Sequence, residues 1–227
     1  MTARQFKILA GLGGLIFLPL IIGRLIYEPF NLTSESMLPN FLPGDYILVS
    51  HLPYDDVERG DLVFFQQKER NNLPYIKRLV GLPGDTVQMR NGQLFLNGEA
   101  VEKDRIEDFV FMESDDLDCR FSPDYRFPQD DGSMECRLPQ YLETLPNGKT
   151  YKTLDSAPFG RSDNTQEYVV PTGYYFSLGD SRDNSNDSRM PASAGGIGFV
   201  SEENLIGPAK IIIYSTHDNE LLWESLN

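Results

Sequence analysis

Short apolar segments, each bounded by a turn signal, dominate the chain after its first thirty residues. They run for four to six residues, which is too short for helices and typical of strands: Tyr46–Val49, Leu62–Phe65, Tyr75–Val80, Thr86–Arg90, Gln93–Leu96, Gly173–Leu178 and Ala209–Tyr214. The signals between them are Gly-Asp and Asn-Gly pairs, among them Gly44-Asp45, Gly60-Asp61, Gly84-Asp85 and Asn91-Gly92. No long helical periodicity follows residue 27. The sequence therefore predicts an all-β fold of antiparallel sheets.

Residues 107–170 differ from the rest in composition. They are rich in Asp, Pro, Ser and Arg and have few sustained apolar runs. Within them, Tyr141–Leu145 and Lys149–Leu154 flank Asn147-Gly148, a hairpin signal. We predict an inserted β lobe at 107–170, within a β domain formed by residues 28–106 and 171–227.

An apolar run near the N-terminus has the length of a membrane span. No charge occurs from Ile8 to Gly23, and the twenty residues 8–27 would extend about 30 Å as a helix. A cleaved signal peptide is the alternative, but the run is long for one and no small-x-small site follows it. Arg4 and Lys7 precede the run, which favours a cytoplasmic N-terminus. We predict a cytoplasmic segment 1–7 and one transmembrane helix at 8–27.

Charge and cysteine content limit the possible partners. The net charge of −14 argues against nucleic-acid binding, which requires a basic face. The two cysteines, Cys119 and Cys136, match no zinc or redox spacing. They lie seventeen positions apart, which fits a disulfide and free thiols equally well.

A pair of serines and one lysine are the candidates for chemistry. Neither histidine lies near a serine-centred turn, so a Ser-His-Asp triad is disfavoured. In an extended chain Ser34 and Ser36 would point to one side and Glu35 to the other, although such a segment is also typical of a linker. Lys77 lies within an apolar strand; if buried, it would have the lowered pKa that a general base needs, and the alternative is a lysine on a solvated strand face.

A polar loop, Gly179–Arg189, follows a predicted strand. Its dense Asp, Ser, Asn and Arg side chains can build a rigid turn by hydrogen-bonding to the backbone. A purely structural turn is the alternative. The sequence contains no His-Glu-Xaa-Xaa-His pair and no phosphate-binding glycine loop, and we expect no metal and no cofactor.

Taken together, these stretches resemble the bacterial type I signal peptidases, which are membrane-anchored Ser-Lys endopeptidases. The resemblance is carried by three stretches: Ser-Glu-Ser-Met-Leu-Pro at 34–39, Tyr-Ile-Lys-Arg-Leu-Val-Gly-Leu-Pro-Gly-Asp at 75–85, and the loop at 179–189. Further similar stretches begin at Gly44, Arg59 and Gly198. The similarity covers the chain except for residues 107–170, which correspond in position to the extra β lobe of Gram-negative members.

The resemblance implies a role for particular residues. Ser36 would be the nucleophile and Lys77 the general base, with Ser34 and the Ser36 backbone N–H forming an oxyanion hole. Ser185 would hydrogen-bond and orient the lysine. The remaining implied residues brace the late loop (Asp180, Arg182, Asp187 and Arg189) or line the substrate cleft (Met37, Tyr75 and Ile76).

It also implies substrates and a location. The family removes signal peptides from exported proteins, cutting after small residues at the first and third positions before the scissile bond. The expected partners are signal-peptide-bearing preproteins and the lipid bilayer, with protein export machinery nearby. The expected location is the bacterial cytoplasmic (inner) membrane, crossed once, with the catalytic domain on the periplasmic side.

Two positions depart from the family pattern, and three other interpretations remain open. Thr33 and Glu35 stand where members usually have Pro and Gly. Strand alternation predicts that Glu35 points outward. The alternatives are a specialised Ser-Lys processing protease of the conjugation type, an inactive relative, and an inactive membrane-tethered scaffold with a solvated Lys77 and an unreactive Ser36.

Overall fold

The structure is a computed structural model that describes residues 26–51, 57–67, 73–119, 123–157, 160, 162–215, 220–222 and 224–226. The predicted cytoplasmic segment 1–7 and nearly all of the predicted transmembrane helix at 8–27 lie outside these residues. In the described part, no helix is long and apolar enough to cross a membrane. Tyr27, the predicted last residue of the span, is the first residue of a strand.

The described residues form strands joined by turns and single turns of 3-10 helix. In chain order the strands are β1 (Tyr27–Asn31), β2 (Tyr46–Ser50), β3 (Leu62–Gln66), β4 (Pro74–Gly81), β5 (Thr86–Arg90), β6 (Gln93–Leu96), β7 (Glu99–Ala100), β8 (Glu102–Arg105), β9 (Phe109–Met112), β10 (Arg126–Pro128), β11 (Met134–Leu138), β12 (Gln140–Thr144), β13 (Thr150–Leu154), β14 (Tyr168–Val169), β15 (Tyr174–Leu178), β16 (Val200–Ser201), β17 (Leu205–Tyr214) and β18 (Glu224–Ser225). The 3-10 turns are Glu35–Met37, Pro123–Tyr125, Arg182–Asn184, Ala192–Ala194 and Glu202–Asn204.

The largest sheet has the strand order β1-β2-β17-β3-β4-β15-β16, with β18 added to β17. Neighbouring strands throughout the described part pair in an antiparallel manner, so the predicted all-β antiparallel fold is confirmed. β4 lies inside this sheet between β3 and β15, and it carries Lys77 opposite Val63 of β3.

Three tight turns that the sequence marked with Gly-Asp share one geometry. In each turn the glycine has a φ between 91° and 94°, a left-handed conformation that a side chain would strain. The aspartate that follows accepts a hydrogen bond from the backbone N–H three residues earlier, at 2.6–2.9 Å. These turns are Leu42–Asp45, Glu58–Asp61 and Leu82–Asp85. They fix where β2, β3 and β5 begin and where β4 ends.

Both faces of the large sheet are buried. Leu62 and Phe64 of β3 pack in a cluster with Met37 and Ile47, whereas Val63 and Phe65 pack on the opposite face with Leu79 and Tyr175, among others. An apolar core on each side explains why this strand is apolar at four consecutive positions and does not alternate.

The inserted lobe is continuous with the chain on both sides of it. β8, before the predicted boundary at 107, pairs with β12 inside the lobe, and β14, at its predicted end, pairs with β5. Strand pairing therefore crosses both predicted boundaries, because a change in composition marks where apolar runs stop and not where strands pair. Cys119 and Cys136 form a disulfide in the lobe core, which decides between the two states that the sequence left open.

Candidate active site

Ser36 lies in a 3-10 turn and not in an extended segment. Ser34 is extended, with φ −123° and ψ 140°, and its hydroxyl oxygen accepts a hydrogen bond from the Ser36 N–H at 3.2 Å. It thereby caps the turn Glu35–Met37, whose first N–H groups have no partner within the turn. The predicted strand alternation of this segment is wrong, because the capping serine turns the chain before Ser36.

Ser36 and Lys77 are in direct contact. The Lys77 Nζ donates a hydrogen bond to the Ser36 Oγ at 2.7 Å and another to the Ile76 carbonyl at 2.9 Å. Lys77 is 3% exposed and Ser36 is 6% exposed. The interpretation of Lys77 as a lysine on a solvated strand face, which the scaffold alternative requires, is wrong.

Burial changes the acidity of Lys77. Loss of hydration disfavours the ammonium form and lowers the pKa of Lys77 from about 10.5 to about 8. Asp187 and Asp180 favour the charged form and limit this fall, whereas Arg189 adds to it. At mildly alkaline pH a large fraction of Lys77 is therefore a neutral amine, which can accept a proton from the serine hydroxyl beside it.

Ser185 lies beside the dyad without contacting the lysine through a hydrogen bond. Its hydroxyl is buried and has no hydrogen-bond partner in the described residues. The Ser185 side chain packs over Gly179, where an added Cβ would also come within 2.7 Å of the Ser36 carbonyl oxygen. The hydrogen bond from Ser185 to Lys77 that the resemblance implied is not formed in this structure, although both residues line the same cleft.

Two charged residues of the late loop, Asp187 and Arg189, pair with each other. Arg189 pairs with Asp187 through two hydrogen bonds of 2.9 and 2.8 Å and donates a third to the Arg182 carbonyl. The Asp187 carboxylate also accepts a hydrogen bond from the Gly179 N–H at 3.0 Å, and neighbouring Arg189 holds the pKa of Asp187 below its usual value against the opposing effect of burial.

The other two predicted bracing residues pair with partners outside the loop. Asp180 forms a buried two-point ion pair with Arg78 of β4, at 2.9 and 2.7 Å. Arg182 forms another with Glu143 of the lobe, with both distances 2.7 Å. The Glu143 carboxylate also accepts a hydrogen bond from the Tyr151 hydroxyl at 2.8 Å.

The two partners, Arg78 and Glu143, are not predicted from the sequence. Arg78 carried a signal, since an arginine next to Lys77 in an apolar strand must find a buried acceptor if both strand faces are covered. Glu143 carried no such signal, because its segment is predicted to be part of an insertion without site residues.

A cleft of about 720 Å³ opens in front of the dyad. Its lining includes Ser36, Lys77 and the predicted substrate-binding residues Tyr75 and Ile76. Met37 is not in this lining. It is 1% exposed and packs in the core, since the 3-10 turn directs it inward.

One group of carboxylates could be mistaken for a metal site. Oxygens of Asp155, Asp163 and Asp183 lie within 4.8 Å of one another. Each already has a partner within the protein: Lys103 pairs with Asp155, and backbone N–H groups donate to Asp163 and Asp183 at 2.7–2.8 Å. Through these bonds the three carboxylates stabilise the segment that leads out of the lobe.

Comparison with known proteins gives the family. The model of the family described as signal peptidase, peptidase S26, matches residues 5–214. Signal peptidase I of Rickettsia typhi is 34% identical over 229 residues, covering 88% of this chain and 77% of that protein. The Rickettsia prowazekii protein of the same name is 33% identical over the same shares. A crystal structure of a signal peptidase I from Enterococcus faecalis V583 matches 69% of this chain and 98% of its own, with 24% identity and a TM-score of 0.35.

The family model and the relatives together indicate a serine endopeptidase. The chain belongs to the signal peptidase family, peptidase S26, and the assignment does not depend on the crystal structure.

Proposed function

We propose that this protein removes signal peptides from exported preproteins by means of a Ser36–Lys77 dyad. The observation that carries the proposal is the 2.7 Å contact between the Ser36 Oγ and the Nζ of a buried lysine. A serine is a weak nucleophile unless a base removes its proton, and a lysine serves as that base only when its pKa is lowered. Burial supplies this condition at Lys77.

The reaction begins with attack of the Ser36 Oγ on the scissile carbonyl carbon while neutral Lys77 takes the hydroxyl proton. The carbonyl oxygen becomes an oxyanion, for which the Ser36 N–H and the Ser34 hydroxyl are the nearby donors. In the resting site the Ser34 oxygen accepts the Ser36 N–H, so the Ser34 hydrogen remains available to donate. Binding of the oxyanion then draws the N–H away from Ser34.

Collapse of the intermediate breaks the C–N bond, and Lys77 gives its proton to the leaving amine. The acyl group remains on Ser36 as an ester. In the second half, Lys77 takes a proton from water, and the resulting hydroxide attacks the ester. The Ser36 oxygen leaves and recovers the proton from Lys77, which returns the dyad to its starting state.

The cleft and the apolar run near the N-terminus support the inference that the substrate emerges from a membrane. Apolar residues at one end of the cleft, including Phe30 and Phe64, suit the small apolar side chains that the family selects before the scissile bond. Tyr27 begins β1, and an anchor that ends just before it is ten residue steps from Ser36, which keeps the nucleophile within about 35 Å of the bilayer. We infer a single-pass protein of the cytoplasmic membrane with a periplasmic catalytic domain, close to the export machinery.

The test is cleavage of a synthetic signal peptide with alanines at the first and third positions before the scissile bond. The full chain in detergent is compared with Ser36→Ala, Lys77→Ala and, as a matched control at an exposed position of β13, Lys152→Ala. We expect the wild type and the control to cut after the second alanine and both dyad variants to be inactive by mass spectrometry. An inert wild type, or a dyad variant that keeps its rate, would refute the proposal.

A further inference from the structure

Glu35, which stands next to the nucleophile, points into the protein and bonds to two separate segments. One carboxylate oxygen accepts a hydrogen bond from the Asn184 side-chain amide at 2.8 Å. The other accepts the backbone N–H of Asp118, in the inserted lobe, at 3.2 Å. Strand alternation predicted an outward Glu35, and that prediction is wrong because Glu35 begins a 3-10 turn.

The two segments that Glu35 contacts are themselves held in place. Asn184 ends the 3-10 turn Arg182–Asn184, which leads directly to Ser185. Asp118 precedes Cys119, which the disulfide anchors in the lobe. Glu35 therefore connects the nucleophile turn to two fixed points on different parts of the chain.

The turn that carries Ser36 has little internal support. A single 3-10 turn makes few hydrogen bonds of its own, and here the Leu38 N–H donates to the Glu35 carbonyl at 3.1 Å. From outside, the Ser181 N–H holds the Ser36 carbonyl at 3.1 Å. Met37 packs in the core, and the Glu35 side chain adds a further external attachment, one residue before the nucleophile.

We propose that Glu35 is a positioning residue, which clamps the nucleophile turn to Asn184 and the lobe and thereby sets the distance from the Ser36 Oγ to the Lys77 Nζ. The inference rests on the proposed function of the dyad. Glu35 acts through the hydrogen bonds that its two oxygens accept. Without them, the N-terminal end of the turn can shift about the Ser36 carbonyl bond and the packed Met37 side chain, and the serine leaves the 2.7 Å contact.

The rival explanation is that the Glu35 charge selects substrates. Glu35 lies in the lining of a second cavity, of about 520 Å³, together with Asp115 and Asp116. A charge effect on substrate would change KM and its salt dependence, and it would be lost in any neutral variant. A positioning effect would change kcat and would survive in a neutral variant that keeps the hydrogen bonds.

The experiment exchanges donor and acceptor across the Glu35–Asn184 contact. Glu35→Ala removes both bonds, and misplacement of reacting groups predicts a kcat lowered by about 10- to 100-fold with a nearly unchanged KM. Glu35→Gln keeps a side-chain oxygen that can accept the Asp118 N–H. Its side-chain NH2 can donate to the Asn184 Oδ1 if the Asn184 side-chain amide rotates by 180°, so kcat should stay within about threefold of wild type. Asn184→Asp sets two carboxylates against each other and should lower kcat by about tenfold.

The double variant Glu35→Gln/Asn184→Asp restores one donor, one acceptor and the original net charge of the pair. Its kcat should return to within about threefold of wild type. If the two substitutions acted independently, the double variant would instead be at least as slow as Asn184→Asp alone. Glu102→Ala, at an exposed position of β8, is the matched control for the loss of a glutamate. Thermal unfolding of each full-length variant in detergent separates a loss of rate from a loss of fold.

A second substrate distinguishes a failure of the positioning role of Glu35 from a failure of the proposed peptidase function. Acylation of Ser36 by p-nitrophenyl acetate, followed by mass spectrometry, measures the reactivity of the dyad without a peptide, and the same order of variants is expected. If Glu35→Ala keeps the wild-type kcat, if Glu35→Gln is as slow as Glu35→Ala, or if the double variant is not rescued, Glu35 does not position the nucleophile. If the wild type neither cuts the peptide nor acylates, the proposed function and the positioning role both fall.

Discussion

Replacing Lys77 with methionine should abolish activity and should make the folded protein more stable, relative to wild type, at neutral pH than at alkaline pH. Lys77 is buried in the folded state, where loss of hydration lowers its pKa to about 8. An unfolded chain gives the same lysine water and a pKa of about 10.5. Below pH 8 the amine is protonated in both states, and the folded state carries the cost of a buried ammonium.

The size of this cost follows from the two pKa values. Each pKa unit corresponds to about 1.4 kcal/mol, so a difference of roughly 2.5 units destabilises the folded state by about 3 kcal/mol at pH 7. The cost shrinks as pH rises from 8 towards 10.5, because the unfolded lysine then also loses its proton. Methionine has a similar length and no charge, so the advantage of Lys77→Met should be about 3 kcal/mol larger at pH 7 than at pH 10.5.

Urea unfolding of the full chain in detergent, followed by circular dichroism, measures this difference. Wild type and Lys77→Met are compared from pH 6 to 10.5, with Lys152→Met as a control for the removal of an exposed lysine. Loss of the two hydrogen bonds of Lys77 lowers the stability of the variant by a constant amount, which does not change the slope. A difference between variant and wild type that does not change with pH would refute the assignment of a desolvated, low-pKa lysine.

Three further predictions concern the dyad and the lobe. Because Lys77 must be neutral to act, kcat/KM for a signal peptide should rise about tenfold per pH unit below pH 8 and level off above it; a flat profile from pH 6 to 9 would contradict this. Glu143→Ala leaves Arg182 buried without its counter-ion and should cost about 3–5 kcal/mol in urea unfolding, whereas a cost below about 1 kcal/mol would mean that the pair is not essential. Reduction of the disulfide between Cys119 and Cys136 opens a short loop and should lower the free energy of unfolding by about 3 kcal/mol; equal urea midpoints with and without reductant would disprove this.

The sequence predicted β2, β3, β4, β15 and the last six residues of β17, because turn chemistry and apolar runs are local signals. It missed β1, β16 and β18 of the same sheet. The Gly-Asp turns need a residue with positive φ followed by a carboxylate, and both requirements can be recognised in the sequence. β5 and β6 have the predicted bounds for the same reason, since Asn91 and Gly92 both adopt positive φ between them.

The candidate site could be predicted only in part. The resemblance chose Ser36 and Lys77 among many serines and lysines, and the structure brings them together. The 3-10 turn Glu35–Met37 was missed because a capping hydroxyl and a strand hydroxyl at Ser34 look alike in a sequence. The partners of Arg182 and Glu35 could not be predicted, since Glu143 and Asp118 lie in the lobe and nothing local shows which distant chain will cover a charge.

The contacts between the lobe and the late loop affect how such an insertion could be gained or lost in evolution. Glu143 neutralises Arg182, and the Leu154 N–H donates to the Asp180 carbonyl oxygen at 2.9 Å. A deletion that removed the lobe cleanly at the DNA level would leave the buried Arg182 guanidinium without its counter-ion beside the late loop. Loss of the lobe would therefore require either a new acidic partner for Arg182 or a substitution at that position.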